Sequence, residues 1–214
     1  MKILITAGPT IEPLDPVRYI SNRSTGAMGY EIAKKAREKG FDVCLVSGPV
    51  ALAPPDGVKT IKVNTAREMR DSVMERIDDY DCIIMAAAVC DFRPEETEEQ
   101  KIKKSDELTL NLVSNPDILA GLSEKENLLK VGFALETENA LENGSDKLKR
   151  KNLDLIVINV ISAENDPFGP NHPSEGAQNR RNYTLIDSGD KAREVNGATK
   201  DELAEFLIDE IGKL

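Results

Sequence analysis

Residues 6–29, TAGPTIEPLDPVRYISNRSTGAMG, stand between a short apolar run, Met1–Ile5, and a pattern in which Met28, Ile32, Ala33 and Ala36 recur at helical spacing. Strand-to-helix connections in α/β domains usually span about 2–6 residues. This one is several times longer, and Pro9, Pro13 and Pro16 restrict its backbone. A long, stiffened loop at the carboxyl end of a first strand is where α/β sheets place ligands. Thr10, Glu12, Asp15, Arg18, Ser21, Asn22, Ser24 and Thr25 give it polar side chains. Ser24–Gly29 then brings small residues and free backbone N–H groups to a helix start, a seat for phosphate.

An ordinary dinucleotide loop does not fit these residues. Gly8 is isolated, and Gly26 and Gly29 follow only after the long loop, so no G-x-G-x-x-G forms. The next strand ends Val46–Pro49 (VSGP), without the carboxylate that would hold a ribose diol.

The remainder of the chain alternates apolar strands with helices. Strands are expected at 42–47, 58–63, 81–86, 107–113, 128–135 and 153–158. Helices are expected at 29–39, from Thr65 (with Glu68 as a capping box) to about Ile77, over 139–149 with an irregularity at Gly144, and after Thr199 with Glu202. Ser114–Asp117 reads as a turn and helix cap. Residues 182–187 and 191–195 flank Ser188–Asp190 as a hairpin, and 162–181 reads as a long loop rich in proline and glycine. The fold class expected is α/β: a three-layer α/β/α, Rossmann-like arrangement around a mostly parallel sheet, with an antiparallel hairpin near the C-terminus. One domain over residues 1–214 is expected.

A net charge of −10 argues against broad nucleic-acid binding, though a local cluster of lysines can still hold an anion. Three widely spaced cysteines fit a reducing cytoplasm. His172 is the sole histidine, which makes a structural zinc site a poor expectation. Apolar runs are too short for a membrane span, and no leader is read before Lys2.

Ala86, Ala87 and Ala88, followed by Val89, Cys90 and Asp91, let a ligand lie against the backbone where a strand ends. Close helix–sheet packing is the plainer reading of such small residues, and Asp91 favours the ligand. Lys101–Lys104 (KIKK) stands in an acidic neighbourhood, and alternation in an extended segment puts Lys101 and Lys103 on one face. A solvated basic face is its plainer reading. Cys90 has no neighbouring base and reads as a strand-end residue, not a nucleophile.

Residues 8–29 resemble the opening signature of phosphopantothenoylcysteine synthetases. AAAVCDFR (86–93), KIKK (101–104), GFALET (132–137) and KNLD (151–154) match the same family in the same order, over nearly the whole chain. The resemblance implies a cytoplasmic acid–amino-acid ligase of coenzyme A biosynthesis joining 4′-phosphopantothenate to L-cysteine. The nucleoside triphosphate is CTP, or ATP as in eukaryotic relatives, with Mg²⁺. The intermediate would be an acyl-nucleotide, acyl-CMP with CTP, and pyrophosphate would be released.

By the same resemblance Asn22 and Lys101 are catalytic, and Arg18, Asn22 and Ala87 bind substrate. Gly8, Thr10, Ser24, Gly26, Ala86, Ala87, Ala88, Asp91, Lys101, Lys104, Phe133 and Ala134 bind the nucleotide, with Asp91 also a metal contact. It further implies a mobile flap around Lys101, a homodimer that shares its sites across the interface, and a flavin-dependent decarboxylase as a separate partner. The chain departs from the family pattern at two places. Family members often read SSGKMG where this chain has STGAMG, so Ala27 replaces a lysine. Asn159 is flanked by Ile158 and Val160 instead of Ala and Asp. A non-catalytic nucleotide-binding module and a Rossmann-type NAD(P) oxidoreductase are the alternative readings, separable by titration with CTP, ATP and NADH.

Overall fold

The computed structural model describes residues 1–160 and 180–213. Its first strand, β1 (Lys2–Ala7), carries Ile3, Leu4 and Ile5, all fully buried. Ile3 and Ile5 enter one hydrophobic cluster and Leu4 the other, so both faces of the strand are covered. This double burial explains an uninterrupted apolar run in place of alternation.

Around β1 lie β4 (Asp42–Ser47), β5 (Lys59–Lys62), β6 (Cys82–Met85), β9 (Leu129–Glu136) and β10 (Leu155–Val160), all parallel. β11 (Arg181–Asp187) and β12 (Ala192–Ala198) add antiparallel to β10. The order across this eight-stranded sheet is β12-β11-β10-β9-β6-β1-β4-β5. On one face α1 (Ala27–Glu38) and α4 (Lys200–Ile211) bury Ile32, Ala33, Leu203 and Leu207. On the other, α2 (Ala66–Met74) and α3 (Ala140–Arg150) bury Met69, Val73 and Leu148. The expected layers and the C-terminal hairpin are present.

Local chemistry sets several boundaries. Thr199 and Glu202 form a complete capping box at α4. At α2 the box is half formed: Thr65 accepts from the Glu68 N–H, but Glu68 reaches the N–H of Asn64. α2 stops at Met74, and Ile77–Asp79 is a separate 3-10 turn.

Three expectations are corrected. The long loop contains a small hairpin, β2 (Ile11–Pro13) against β3 (Tyr19–Ser21). The strand expected over 107–113 forms only at β8 (Leu112–Ser114), paired with β7 (Phe92–Pro94). A strand needs a partner ladder, and β7 offers three residues ending in a proline that has no N–H. The irregularity expected at Gly144 is absent, since α3 runs through it. A Cβ there would stand 2.2 Å from Ile158 Cδ1, so glycine lets α3 press against β10. Gly144→Val is therefore expected to cost roughly 2–3 kcal/mol by overpacking. A lowered denaturant midpoint at unchanged m-value would report it; an unchanged midpoint would show that β10 yields. Most of the loop expected over 162–181 lies outside the described residues.

Candidate active site

The long loop folds back over the end of β6. Pro9 bridges Ala88, Ala88 donates to the Gly8 carbonyl (2.9 Å), and Thr10 N–H donates to the Ala88 carbonyl (3.3 Å). Thr10 is fully buried, and its hydroxyl accepts from the Cys90 N–H at 2.9 Å. Thr10 thus stands behind the site and holds its backbone. Asn22 Nδ2 donates to the carbonyls of Ala88 (3.0 Å) and Val89 (3.2 Å), pinning the same strand end from above. Burial pushes the Cys90 thiol up from its ordinary value, which suits a packing residue better than a nucleophile.

Helix α1 starts at this place without a side-chain cap. Gly26 is its N-cap at φ 78°, a left-handed conformation that glycine adopts without strain. The first N–H groups of α1 therefore lack a capping side chain. Ser24 Oγ accepts from the Gly26 N–H at 3.2 Å and shapes the turn.

Two clefts meet here. The smaller, about 340 Å³, runs from Ser24–Met28 past Ala86–Val89 to Ala134, Asn159, Tyr183 and Lys200. The larger, about 530 Å³, lies on the α3 side and is lined by Asn115, Asp117, Glu136, Arg150 and Lys151, among others. Ala87, Val89, Asp91, Phe133 and Lys147 belong to both. Of the residues expected from the sequence, Ser24, Gly26, Ala86, Ala87, Ala88, Asp91, Phe133 and Ala134 come together at these walls, and Gly8 and Thr10 support them. Arg18, Asn22, Lys101 and Lys104 line neither cleft. Lys101 and Lys104 are exposed on a segment without regular structure, and Arg18 binds Asp15 and the Ile102 carbonyl.

Sequence reasoning missed the basic wall. Lys147 Nζ donates to the Phe133 carbonyl at 2.7 Å, and burial lowers its pKa below the ordinary lysine value. Lys151 pairs with Asp117. Burial alone would raise the Asp117 carboxyl, but the Lys151 hydrogen bond and the Ala120 N–H hold it below its usual value. Asn159 Oδ1 and Tyr183 Oη, cross-strand partners at the smaller cleft, are buried without a hydrogen-bond partner among the described residues. The spacing of Lys147 and Lys151, one helical turn apart at the end of α3, was the available signal.

The model of the DNA/pantothenate metabolism flavoprotein C-terminal domain matches residues 1–214. The chain belongs to this family. The family resemblance read from the motifs is thus borne out. The chain is 43% identical over 217 residues to the Escherichia coli (strain K12) coenzyme A biosynthesis bifunctional protein CoaBC, covering 99% of this chain and 51% of that protein. It is 42% identical over 214 residues to a cysteine/cysteine sulfinic acid decarboxylase of an unknown prokaryotic organism, covering 98% and 57%. The chain thus spans about half the length of these relatives. A crystal structure of the C-terminal domain of a CoaBC superposes with a TM-score of 0.82 at 35% identity, covering 99% of this chain and 94% of that one. No helix among the described residues is long and apolar enough to cross a membrane.

Proposed function

We propose that this family member is the ligase that joins 4′-phosphopantothenate to L-cysteine, with CTP or ATP as co-substrate. The observation that carries this reading is the meeting of two clefts at Asp91, Phe133 and Lys147 beside the uncapped start of α1. A triphosphate needs cations and N–H donors in a protein whose overall charge is −10, and this junction concentrates both. The match to the C-terminal half of CoaBC proteins agrees with it.

In the first step a carboxylate oxygen of phosphopantothenate attacks the α-phosphorus. The bond from that phosphorus to the bridging oxygen breaks, and pyrophosphate leaves. In the second step the cysteine amine attacks the acyl carbon, loses a proton, and expels the nucleoside monophosphate. The first step depends on stabilising charge around phosphorus more than on a paired acid and base. The start of α1 and Lys147 hold the phosphates. The backbone at Phe133 and Ala134 meets the base, with Asn159 and Tyr183 offering polar atoms beyond it. Asn22 holds the Ala88–Val89 backbone against which the acyl group lies. Arg18 and Lys101 close over the reacting groups.

No cluster of three His, Cys, Asp or Glu able to hold a metal occurs among the described residues. Asp91, the carboxylate common to both clefts, fits a Mg²⁺ that arrives on the nucleotide, since magnesium is commonly held by one or two carboxylates plus substrate phosphates. When bound, it would neutralise triphosphate charge.

Because Arg18 and Lys101 stand outside both clefts, a second copy that lends them completes the site. Leu108, Leu110 and Leu112 are 55%, 40% and 46% exposed along this segment, and such a stripe favours burial in a homodimer. Light scattering is expected to report twice the mass of the chain; a monomer at working concentration would reject this arrangement. A separate flavin-dependent decarboxylase, acting on the cysteine-derived carboxylate of the product, is the proposed partner. Isothermal titration with CTP, ATP and NADH, followed by a pyrophosphate assay, tests the reading. NADH binding without either triphosphate would overturn it, and triphosphate binding without turnover would point to a non-catalytic module.

A further inference from the structure

Asp15 lies in the turn between β2 and β3 and is only 3% exposed. Its two oxygens have different partners. Oδ1 accepts from the backbone N–H groups of Val17 (2.7 Å) and Arg18 (2.8 Å). That is a local Asx turn and needs nothing else from the chain. Oδ2 accepts from Arg18 Nη1 (2.8 Å) and from the backbone N–H of Ile102 at 3.1 Å. Arg18 Nη1 also donates to the Ile102 carbonyl at 3.2 Å. Both backbone polar groups of Ile102 are thereby held, and Ile102 directly follows Lys101.

The approach to this point is tied to the same hairpin. Thr97 Oγ1 donates to the Pro13 carbonyl (3.1 Å), and the Glu98 N–H donates to the Leu14 carbonyl (2.9 Å). Past Ile102, residues 103–111 are all exposed. The segment is therefore anchored up to Ile102 and weakly held beyond it. Burial alone would push the Asp15 carboxyl up, but the N–H groups of Val17, Arg18 and Ile102 and the Arg18 charge hold it below its ordinary value.

We infer that Asp15 is a positioning residue for the ligase reaction: through Oδ2 and Arg18 it fixes the backbone at Ile102 and so sets where Lys101 stands relative to Arg18. This rests on the reading of Lys101 as the lysine that stabilises triphosphate charge. A purely structural role in the hairpin turn would require Oδ1 alone.

Asp15→Asn separates the two roles. The asparagine oxygen can keep both turn hydrogen bonds, while its NH₂ group faces two donors where Oδ2 accepted. In the full-length chain, amide exchange at Ile102 is expected to quicken roughly ten- to a hundredfold, as for a lost hydrogen bond to a charged group. Exchange in β1 and the thermal midpoint should hold. The kcat of pyrophosphate release should fall by a similar factor with the KM for nucleotide unchanged. Asp15→Ser, which keeps one acceptor for the turn, should behave alike and guards against a defect peculiar to the amide. Unchanged Ile102 exchange overturns the inference, as does faster exchange with full kcat. Lys101→Gln run beside them should keep Ile102 protected while losing turnover. If Lys101→Gln is fully active, the reading of Lys101 falls and takes this inference with it, an outcome distinct from unchanged exchange in Asp15→Asn.

Discussion

Lys101→Gln is expected to slow phosphopantothenate-dependent pyrophosphate release by about 10²–10³, the usual loss for one electrostatic contact to a developing charge. Glutamine keeps most of the stem and removes only the ammonium. The first half-reaction gathers negative charge around phosphorus and does not involve cysteine, so the loss should persist when cysteine is omitted. Lys103→Gln is the matched control: it lies in the same exposed segment, on the far side of the anchored Ile102. If both substitutions are near neutral, the segment is a solvated basic face. If pyrophosphate release is unchanged in Lys101→Gln while product formation stops, the lysine acts in the cysteine step instead.

Lys147→Met is expected to weaken nucleotide affinity roughly ten- to a hundredfold. Methionine retains bulk but deletes the ammonium at the junction of the clefts and the hydrogen bond to the Phe133 carbonyl. The pH dependence gives a second, independent signature. Burial depresses the Lys147 pKa; Glu136, Asp117 and Asp91 oppose this without restoring the ordinary value, and Lys151 deepens it. The charged form therefore disappears below the ordinary lysine range, and nucleotide affinity should fade as pH climbs through that window. Stability runs the other way. The unfolded chain binds this proton more tightly, so burial of the charge destabilises the fold at neutral pH, and the penalty shrinks as pH rises toward the ordinary lysine value. In Lys147→Met both trends should vanish, which titration calorimetry and thermal midpoints across alkaline pH would read. An unchanged dissociation constant would remove Lys147 from the site.

What the sequence made legible was periodic or stereochemically forced. Ile3–Ile5, buried on both faces, the cap at Thr65 and the box at Thr199 announce themselves through local rules. The long loop was legible as an unusual connection because its length and its prolines depart from ordinary ones. Its inner hairpin was not, since Ile11–Pro13 and Tyr19–Ser21 are too short to show alternation. The strand over 107–113 was misread because alternating Leu108, Leu110 and Leu112 promise a sheet face, while the chain supplies almost no partner for it. Lys147 fell in an expected helix and Lys151 in the KNLD match, and nothing local beyond their spacing joined them. Only the fold shows that α3 ends over Phe133, which turns two surface-type lysines into the wall of a cleft.

The placement of β1 has a consequence during synthesis. It lies inside the sheet, third from one edge, yet its two neighbours, β4 and β6, follow it in the chain, with α1 and α2 between. On the ribosome an Ile-Leu-Ile segment therefore emerges well before either strand that will flank it. Parallel pairing over such separations is slow to nucleate, and unpaired apolar strands invite association with other nascent chains. The nascent polypeptide passes through a stage when a segment fully buried in the native fold is exposed, so holding chaperones should matter most until β6 has emerged.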